Sequence, residues 1–235
     1  MTEMESCTFT TGDLKAPVQL FPLVRHFSYR LTPLLLQWPL TPNQITLISL
    51  LLGLAGAACF LGGGWLPGVM GGFLLVACYT FDNCDGEVAR IKGLSSEFGA
   101  RLDDFSDSMV DLSFFVALGY GTAQITDQDF WFWLGLMAAM GAAIDYFMDL
   151  FREVRLKSKA GAKTRAERVK ESKQPEDIPD WLIYIFHKLS RADFCIIVLV
   201  LAVLNVTWVL LPLAAVGAQV YWVTSLFERT RSFHT

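Results

Sequence analysis

Charged residues are scarce in this sequence. Only 18% of its 235 residues are Asp, Glu, Lys or Arg, whereas 53% are hydrophobic and the mean hydropathy is +0.41. Ordinary soluble domains carry about 25% charged residues, so the composition excludes that class and predicts an integral membrane protein. Each membrane crossing takes about 20 apolar residues, so the length suits one compact bundle and leaves no room for a large soluble domain.

Two other features are missing. The five cysteines show no CxxC spacing, so we expect small buried thiols rather than a disulfide framework or a redox motif. The first 19 residues are polar and contain no apolar run. No cleavable signal peptide is therefore expected.

Basic residues are absent from three connecting segments, 62–67, 121–129 and 204–208, and all 19 Lys and Arg residues lie elsewhere. Cytoplasmic loops of membrane proteins are the ones enriched in Lys and Arg. The pattern predicts an all-α, polytopic membrane protein with six spans and both termini in the cytoplasm. The spans are expected at about residues 43–62, 66–92, 98–121, 129–152, 194–204 and 208–227.

The stretch before the first span mixes Leu, Phe and Trp with Arg25, His26 and Arg30. This mixture is typical of an amphipathic helix that lies on the cytoplasmic membrane surface. Thr41 and Pro42 then favour the N-cap and the first position of a new helix. We therefore divide the chain into an N-terminal arm with an interfacial helix, 1–40, and a transmembrane domain, 41–235, which contains a basic cytoplasmic linker at about 152–180.

Four aspartates, Asp82, Asp85, Asp103 and Asp107, lie at the ends of two adjacent predicted spans. Spacings of three and four place each pair on one helix face, and helix rise puts the two pairs at comparable depth. Ionised acids are costly there, so we expect them to hold two divalent cations. Oxygen ligands without His or Cys favour Mg²⁺ or Mn²⁺ over zinc.

Gly86 and Arg90 lie beside these acids and suit a phosphate-bearing substrate, because glycine allows close approach and arginine offers a fork to phosphate. The whole pattern, Asp82-x2-Asp85-Gly86-x2-Ala89-Arg90-x8-Gly99-x3-Asp103-x3-Asp107, resembles the signature of the CDP-alcohol phosphotransferase family, in its six-helix prokaryotic form. The resemblance extends to the span layout, the interfacial helix and the Thr41-Pro42-Asn43-x2-Thr46 helix start.

The resemblance implies an enzyme of phospholipid or related lipid biosynthesis. It would transfer a substituted phosphate from a CDP-linked donor to an alcohol and release CMP. It further implies that Asp82, Asp85, Asp103 and Asp107 hold the metals, with Asp107 also the candidate base. The residues implied around the CDP group are Asn43, Thr46, Asp82, Gly86, Ala89, Arg90 and Gly99. The donor, CDP-diacylglycerol or another CDP-alcohol, and the acceptor alcohol both stay open.

Basic residues dominate positions 152–173, and attraction to anionic lipid headgroups accounts for most of them. Arg152, Arg155 and Arg191 fall at helix ends near the expected entrance, so we hypothesise that they bind a phosphate on the acceptor. Asp111 could line the cavity or pair locally, whereas Asp145 and Asp149 are expected to pair locally.

The resemblance implies a homodimer in a prokaryotic cytoplasmic membrane, with the site open to the cytoplasm. The small residues of the fourth span could supply the packing surface; they are Gly135, Ala138, Ala139, Gly141 and Ala142. No nucleic-acid partner is expected. The alternative function is a divalent-cation transporter or channel, since intramembrane acids also mark ion paths.

Overall fold

The computed structural model describes residues 22–159 and 193–219, and within these ranges every regular element is helical. The side chains of residue 149 and of residues 152–159 are not described. The helices are α1 Val24–Leu36, α2 Pro42–Leu61, α3 Trp65–Ile91, α4 Glu97–Thr126, α5 Phe130–Lys159, α6 Phe194–Val203 and α7 Thr207–Gln219. The all-α prediction is confirmed over the described residues.

Three helical segments are long and apolar enough to cross a membrane: Pro42–Leu61, Trp65–Ile91 and Phe130–Met148. Helix α6 and the described part of α7 are apolar but shorter. Helix α4 has 30 residues, about 45 Å, yet its first half carries several aspartates and it does not qualify by composition. The count of six spans stays a prediction.

Helix α2 begins where the sequence predicts. Thr41 has an extended backbone, and its hydroxyl accepts a hydrogen bond from the Gln44 amide at 3.4 Å. The Gln44 side chain accepts from the Thr41 amide at 2.9 Å, which completes a capping box with Pro42 at the first helical position.

The core of the bundle lies between α2, α3 and α4 and is closed by α6 and α7. Phe114 of α4 is 1% exposed and makes edge-to-face contacts with Phe60 of α2 at 5.1 Å and Phe194 of α6 at 5.7 Å. Gly121 of α4 packs so closely on the Phe60 carbonyl that a Cβ there would clash. These contacts hold α2 and α4 side by side.

The small residues of α5 pack inside the chain. A Cβ on Gly135 would lie 2.9 Å from the Cα atom of Gly119 on α4, and one on Gly141 would clash with Ala218 of α7. Ala138 and Ala139 are buried as well. Four of the five residues of this stripe are therefore buried within the chain and cannot offer a surface to a second chain, while Ala142 is only partly buried.

Helix α1 is fastened to α3 by hydrogen bonds that the sequence analysis did not foresee. Glu87 accepts from Ser28 at 3.0 Å and from Thr32 at 2.5 Å, and both hydroxyl residues are fully buried. Lys92 donates to the Leu40 carbonyl at 2.9 Å. Helix α1 thus buries a polar face against the motif-bearing end of α3.

Replacing Glu87 with alanine is expected to lower the free energy of unfolding by about 2 kcal/mol, because the buried Thr32 hydroxyl loses its acceptor, whereas Ser28 keeps the Arg25 carbonyl at 3.2 Å. Thermal unfolding of the solubilised protein measures this. Glu87→Gln keeps one side-chain oxygen as acceptor, so its free energy of unfolding should fall by less than half as much as that of Glu87→Ala. The double variant Glu87→Ala/Thr32→Val should be little less stable than Glu87→Ala alone, because the second substitution removes the hydroxyl that has lost its acceptor. An alanine variant as stable as the parent would contradict the prediction.

Candidate metal centre

Helices α3 and α4 bring three of the four predicted aspartates together. One carboxylate oxygen each from Asp82, Asp85 and Asp103 lie within 4.8 Å of one another. Asp85 is only 6% exposed, while Asp82 and Asp103 are partly buried. The spacing of three on α3 places Asp82 and Asp85 on one helix face, and Asp103 of α4 lies next to that face. The predicted convergence of these acids is thus found in the fold.

Two oxygens of this cluster lack a partner among the described residues. Asp82 Oδ1 and Asp103 Oδ1 are buried and accept no hydrogen bond there. A buried polar atom without a partner costs about 1–3 kcal/mol, and more when it is charged, so such atoms call for an explanation. Carboxylate oxygens converging from two helices are the ligands that hard divalent cations prefer. The residues present therefore fit a metal ion.

Asp85 is held by a neighbour on α2. The hydroxyl of Thr46, itself 3% exposed, donates to Asp85 Oδ2 at 2.5 Å and lies 3.2 Å from the Pro42 carbonyl oxygen. Hydrogen bonds to a ligating carboxylate fix its orientation. The family resemblance implies that Thr46 lies around the CDP group. In the structure it contacts the aspartate cluster directly, through Asp85.

Asp107 lies one helical turn after Asp103 but is not among the three clustered carboxylates. Its side chain is exposed, and its charge interacts with that of Asp82. An exposed carboxylate at the edge of the cluster can meet a substrate hydroxyl. Ser106, the residue before it, is buried, and its hydroxyl makes no hydrogen bond within the described ranges.

The motif glycines lie where two further side chains approach. A Cβ on Gly86 would be 3.4 Å from a guanidinium nitrogen of Arg90, so the arginine lies over this glycine. A Cβ on Gly99 would be 3.0 Å from Asn43 Oδ1, so the starts of α2 and α4 meet there. The Ser96 hydroxyl caps α4 by accepting from the Gly99 amide at 3.0 Å. Gly86 directly follows Asp85 and Gly99 precedes Asp103 by four residues, so each glycine contact lies within about one helical turn of a cluster residue along the chain.

Other predicted residues have different outcomes. Asp111 of α4 accepts a hydrogen bond from the Tyr79 hydroxyl of α3 at 3.3 Å, so its partner lies on another helix and both sequence alternatives, cavity lining and local pairing, stay predictions. Asp145 is engaged in an interaction within the chain. Arg191 lies outside the described residues, as do the side chains of Asp149, Arg152 and Arg155.

The contacts of Glu87 and Thr46 were missed, although the sequence held partial signals. Ser28 and Thr32 stand four residues apart on a helix rich in leucine, and Glu87 is an additional acid inside the motif. Hydroxyls at that spacing share a face and need an acceptor if buried. Which acid supplies it depends on the docking of α1, which spacing does not give.

Together, the apolar helices and the clustered carboxylates define an integral membrane protein with a candidate metal centre. The sequence profile of the CDP-alcohol phosphatidyltransferase family matches residues 39–224, and the chain belongs to this family.

Among curated relatives, the bifunctional IPC transferase and DIPP synthase of Thermococcus kodakarensis is 34% identical over 131 residues, 55% of this chain and 28% of the relative. The phosphatidylinositol phosphate synthase of Corynebacterium glutamicum is 35% identical over 85 residues, 36% of this chain and 38% of the relative. The matched segments thus span less than two fifths of either relative.

A solved structure, the phosphatidylinositol phosphate synthase of Mycobacterium tuberculosis with CDP-DAG bound, has a similar fold. Its TM-score is 0.54 at 22% identity, with 84% of this chain and 91% of that chain covered. At this sequence identity, the structural similarity indicates a shared fold and nothing further.

Proposed function

We propose that the protein transfers a substituted phosphate from a CDP-linked donor, CDP-diacylglycerol or another CDP-alcohol, to the hydroxyl of an acceptor alcohol, with release of CMP. Family membership supports the reaction class. The observation that carries the proposal is a pair of buried oxygens on Asp82 and Asp103 that accept no hydrogen bond from any residue the structure describes; both belong to the family motif and fit a divalent cation. The product would serve phospholipid or related lipid biosynthesis.

The aspartates divide into two roles in this proposal. Asp82, Asp85 and Asp103, joined by Asp107, would hold two Mg²⁺ or Mn²⁺ ions, and the Thr46 hydroxyl keeps Asp85 in its orientation. Bound cations neutralise a diphosphate and stabilise the charge that develops on a leaving phosphate.

The nucleotide would lie at the exposed end of the cluster. Arg90, which lies over Gly86, offers a two-pronged donor to a phosphate oxygen pair. Asn43 and Gly99 meet where α2 and α4 begin, and the small side chain of Ala89 leaves room for the cytidine. Each of these positions belongs to the motif or to the start of α2.

Asp107 would act as the base. The acceptor oxygen attacks the phosphorus atom that carries the donor's alcohol, and its proton passes to the Asp107 carboxylate. A phosphorus–oxygen bond forms to the acceptor, and the bond to CMP breaks with its electron pair on the departing CMP oxygen. The exposure of Asp107 supports this role, because the acceptor hydroxyl needs an open approach.

The topology completes the proposal: six spans, an interfacial α1, both termini and the site on the cytoplasmic side, and a homodimer in a prokaryotic cytoplasmic membrane. The two domains are 1–40 and 41–235. The absence of Lys and Arg from segments 62–67, 121–129 and 204–208 supports the orientation.

The direct test is CMP release by the purified protein with Mg²⁺, CDP-diacylglycerol or a soluble CDP-alcohol, and a panel of acceptors. The panel comprises inositol phosphate, glycerol phosphate, serine, choline and diacylglycerol. CMP formation that requires both metal and acceptor supports the proposal. No CMP with any donor, together with Mg²⁺ flux into liposomes, would refute it in favour of the transporter.

A phosphorylated acceptor is the favoured choice within this panel, since a relative is named phosphatidylinositol phosphate synthase. Arg152→Ala, Arg155→Ala and Arg191→Ala should each raise the KM for such an acceptor about tenfold, because each removes a charge-assisted contact to phosphate. The KM for the CDP donor should change less than twofold. Equal effects on the KM values of both substrates would contradict the assignment of these arginines to the acceptor phosphate. Lys157→Ala, in the same basic run as Arg152 and Arg155, serves as the control.

A further inference from the structure

A lysine at the end of α3 holds the backbone that leads into α2. Helix α3 ends at Ile91, and Lys92 follows it directly. The ammonium group of Lys92 donates to the Leu40 carbonyl at 2.9 Å and to the Trp38 carbonyl at 3.3 Å. Both carbonyls belong to the short connection between α1 and α2, residues 37–41. Lys92 therefore ties this connection to the end of α3 that carries the motif.

The connection has few hydrogen bonds of its own. Within the described residues, neither the Trp38 nor the Leu40 carbonyl accepts from a backbone amide. Pro39, which lies between them, and Pro42, which begins α2, have no backbone N–H to donate. Hydrogen bonds from a charged donor are stronger than those between neutral groups. Lys92 thus supplies polar partners that the backbone of the connection does not.

The position of this ammonium group differs from that of an ordinary interfacial lysine. Lysines at the cytoplasmic edge of a membrane are attracted to anionic headgroups, with the stem along apolar surface and the charge in water. Lys92 is half-buried, and its charge lies within hydrogen-bond distance of two carbonyls of its own chain. This placement favours a role within the protein over one at the lipid surface.

The connection leads directly into residues of the site. Asn43 lies three residues after Leu40, in the first turn of α2, where its side chain approaches Gly99 of α4. Thr46 lies nearly one turn further into the helix and donates to Asp85. Helices fray from their ends. Release of Leu40 should therefore disturb Asn43 while Thr46 stays on Asp85.

We propose that Lys92 is a positioning residue, which holds the start of α2 and thereby keeps Asn43 in place beside the CDP group. It touches neither the nucleotide nor the metal. The inference rests on the proposed function, in which Asn43 lies at the nucleotide. It assigns to Lys92 an effect on nucleotide affinity that is separate from metal binding.

The test compares CMP affinity in the presence of Mg²⁺, measured by isothermal titration calorimetry on the full chain in phosphatidylcholine nanodiscs. These nanodiscs contain no anionic lipid, so a contact of Lys92 with charged headgroups does not contribute. Lys92→Met keeps an unbranched apolar stem but removes the charged donor, and it should raise the Kd for CMP about tenfold. Lys92→Arg keeps a charged donor and should restore most of the affinity. The KM for the CDP donor should follow the Kd, while kcat changes less than about twofold.

Glu87→Gln is the matched control, because it weakens the hydrogen bonds between α1 and α3 without touching the connection. Its CMP affinity should equal that of the parent. The rise in unfolding temperature that Mg²⁺ produces should persist in Lys92→Met, since the aspartate cluster is unchanged. Circular dichroism establishes that each variant is folded.

Three results would overturn the inference: equal CMP affinity of Lys92→Met and the parent, no rescue by Lys92→Arg, or loss of the Mg²⁺ effect together with the affinity. A parent protein that binds CMP but releases none from any donor would refute the proposed reaction alone. The role of Lys92 would then be decided by the CMP affinities. No CMP binding by the parent would refute both.

Discussion

Replacing Asp103 with asparagine is expected to lower the rate of CMP release by about a thousandfold. The substitution keeps the size of the side chain but removes a negative charge from a cluster whose oxygens lie within 4.8 Å. Loss of several kcal/mol of charge stabilisation at the transferring phosphate translates into this factor, since each ~1.36 kcal/mol is tenfold in rate.

A second measurement assigns that loss to the metal centre. Mg²⁺ should raise the unfolding temperature of the parent protein, because it binds the folded state and not the unfolded chain. Asp103→Asn should reduce this shift, and Asp104→Asn, at the adjacent exposed position outside the cluster, should keep both the shift and most of the activity. Activity of Asp103→Asn within tenfold of the parent would rule out a metal ligand at this position.

Asp107→Asn should lower kcat by about a hundredfold to ten-thousandfold while the KM for the CDP donor changes little. General-base catalysis contributes factors of this size. The donor should still bind, because Asp82, Asp85 and Asp103 form the close cluster without Asp107. Single-turnover measurement of CMP release, with donor and Mg²⁺ saturating, isolates the chemical step.

The comparison with Asp103→Asn separates the two roles of Asp107. If Asp107 serves chiefly as a base, its asparagine variant keeps most of the Mg²⁺-dependent thermal shift. If that shift disappears as completely as in Asp103→Asn, Asp107 is chiefly a metal ligand and the base must be sought elsewhere.

The helices follow from local sequence signals. Thr41, Pro42 and Gln44 carry a capping box within four residues, so the start of α2 could be predicted without any tertiary information. Apolar runs of about 20 residues likewise indicate the long helices. Composition is less informative for α4, where one segment holds both aspartates and apolar residues.

The small residues of α5 illustrate where prediction from sequence fails. Glycine and alanine at helical spacing indicate close packing, and close packing is what Gly135 and Gly141 make. The sequence does not say whether the partner is another chain or another helix of the same chain. Here the packing partners are Gly119 of α4 and Ala218 of α7, which belong to the same chain.

The sequence by itself determined the membrane class, the start of α2 and which aspartates share a helix face, because spacing along a regular helix fixes which side chains lie on the same side. The tertiary structure alone decided which partners those faces meet. It placed Thr46 on Asp85, docked α1 onto Glu87 and left two oxygens of the cluster without a partner among the described residues. Such contacts join residues far apart in the chain, and their geometry depends on how the helices pack rather than on the order of the residues.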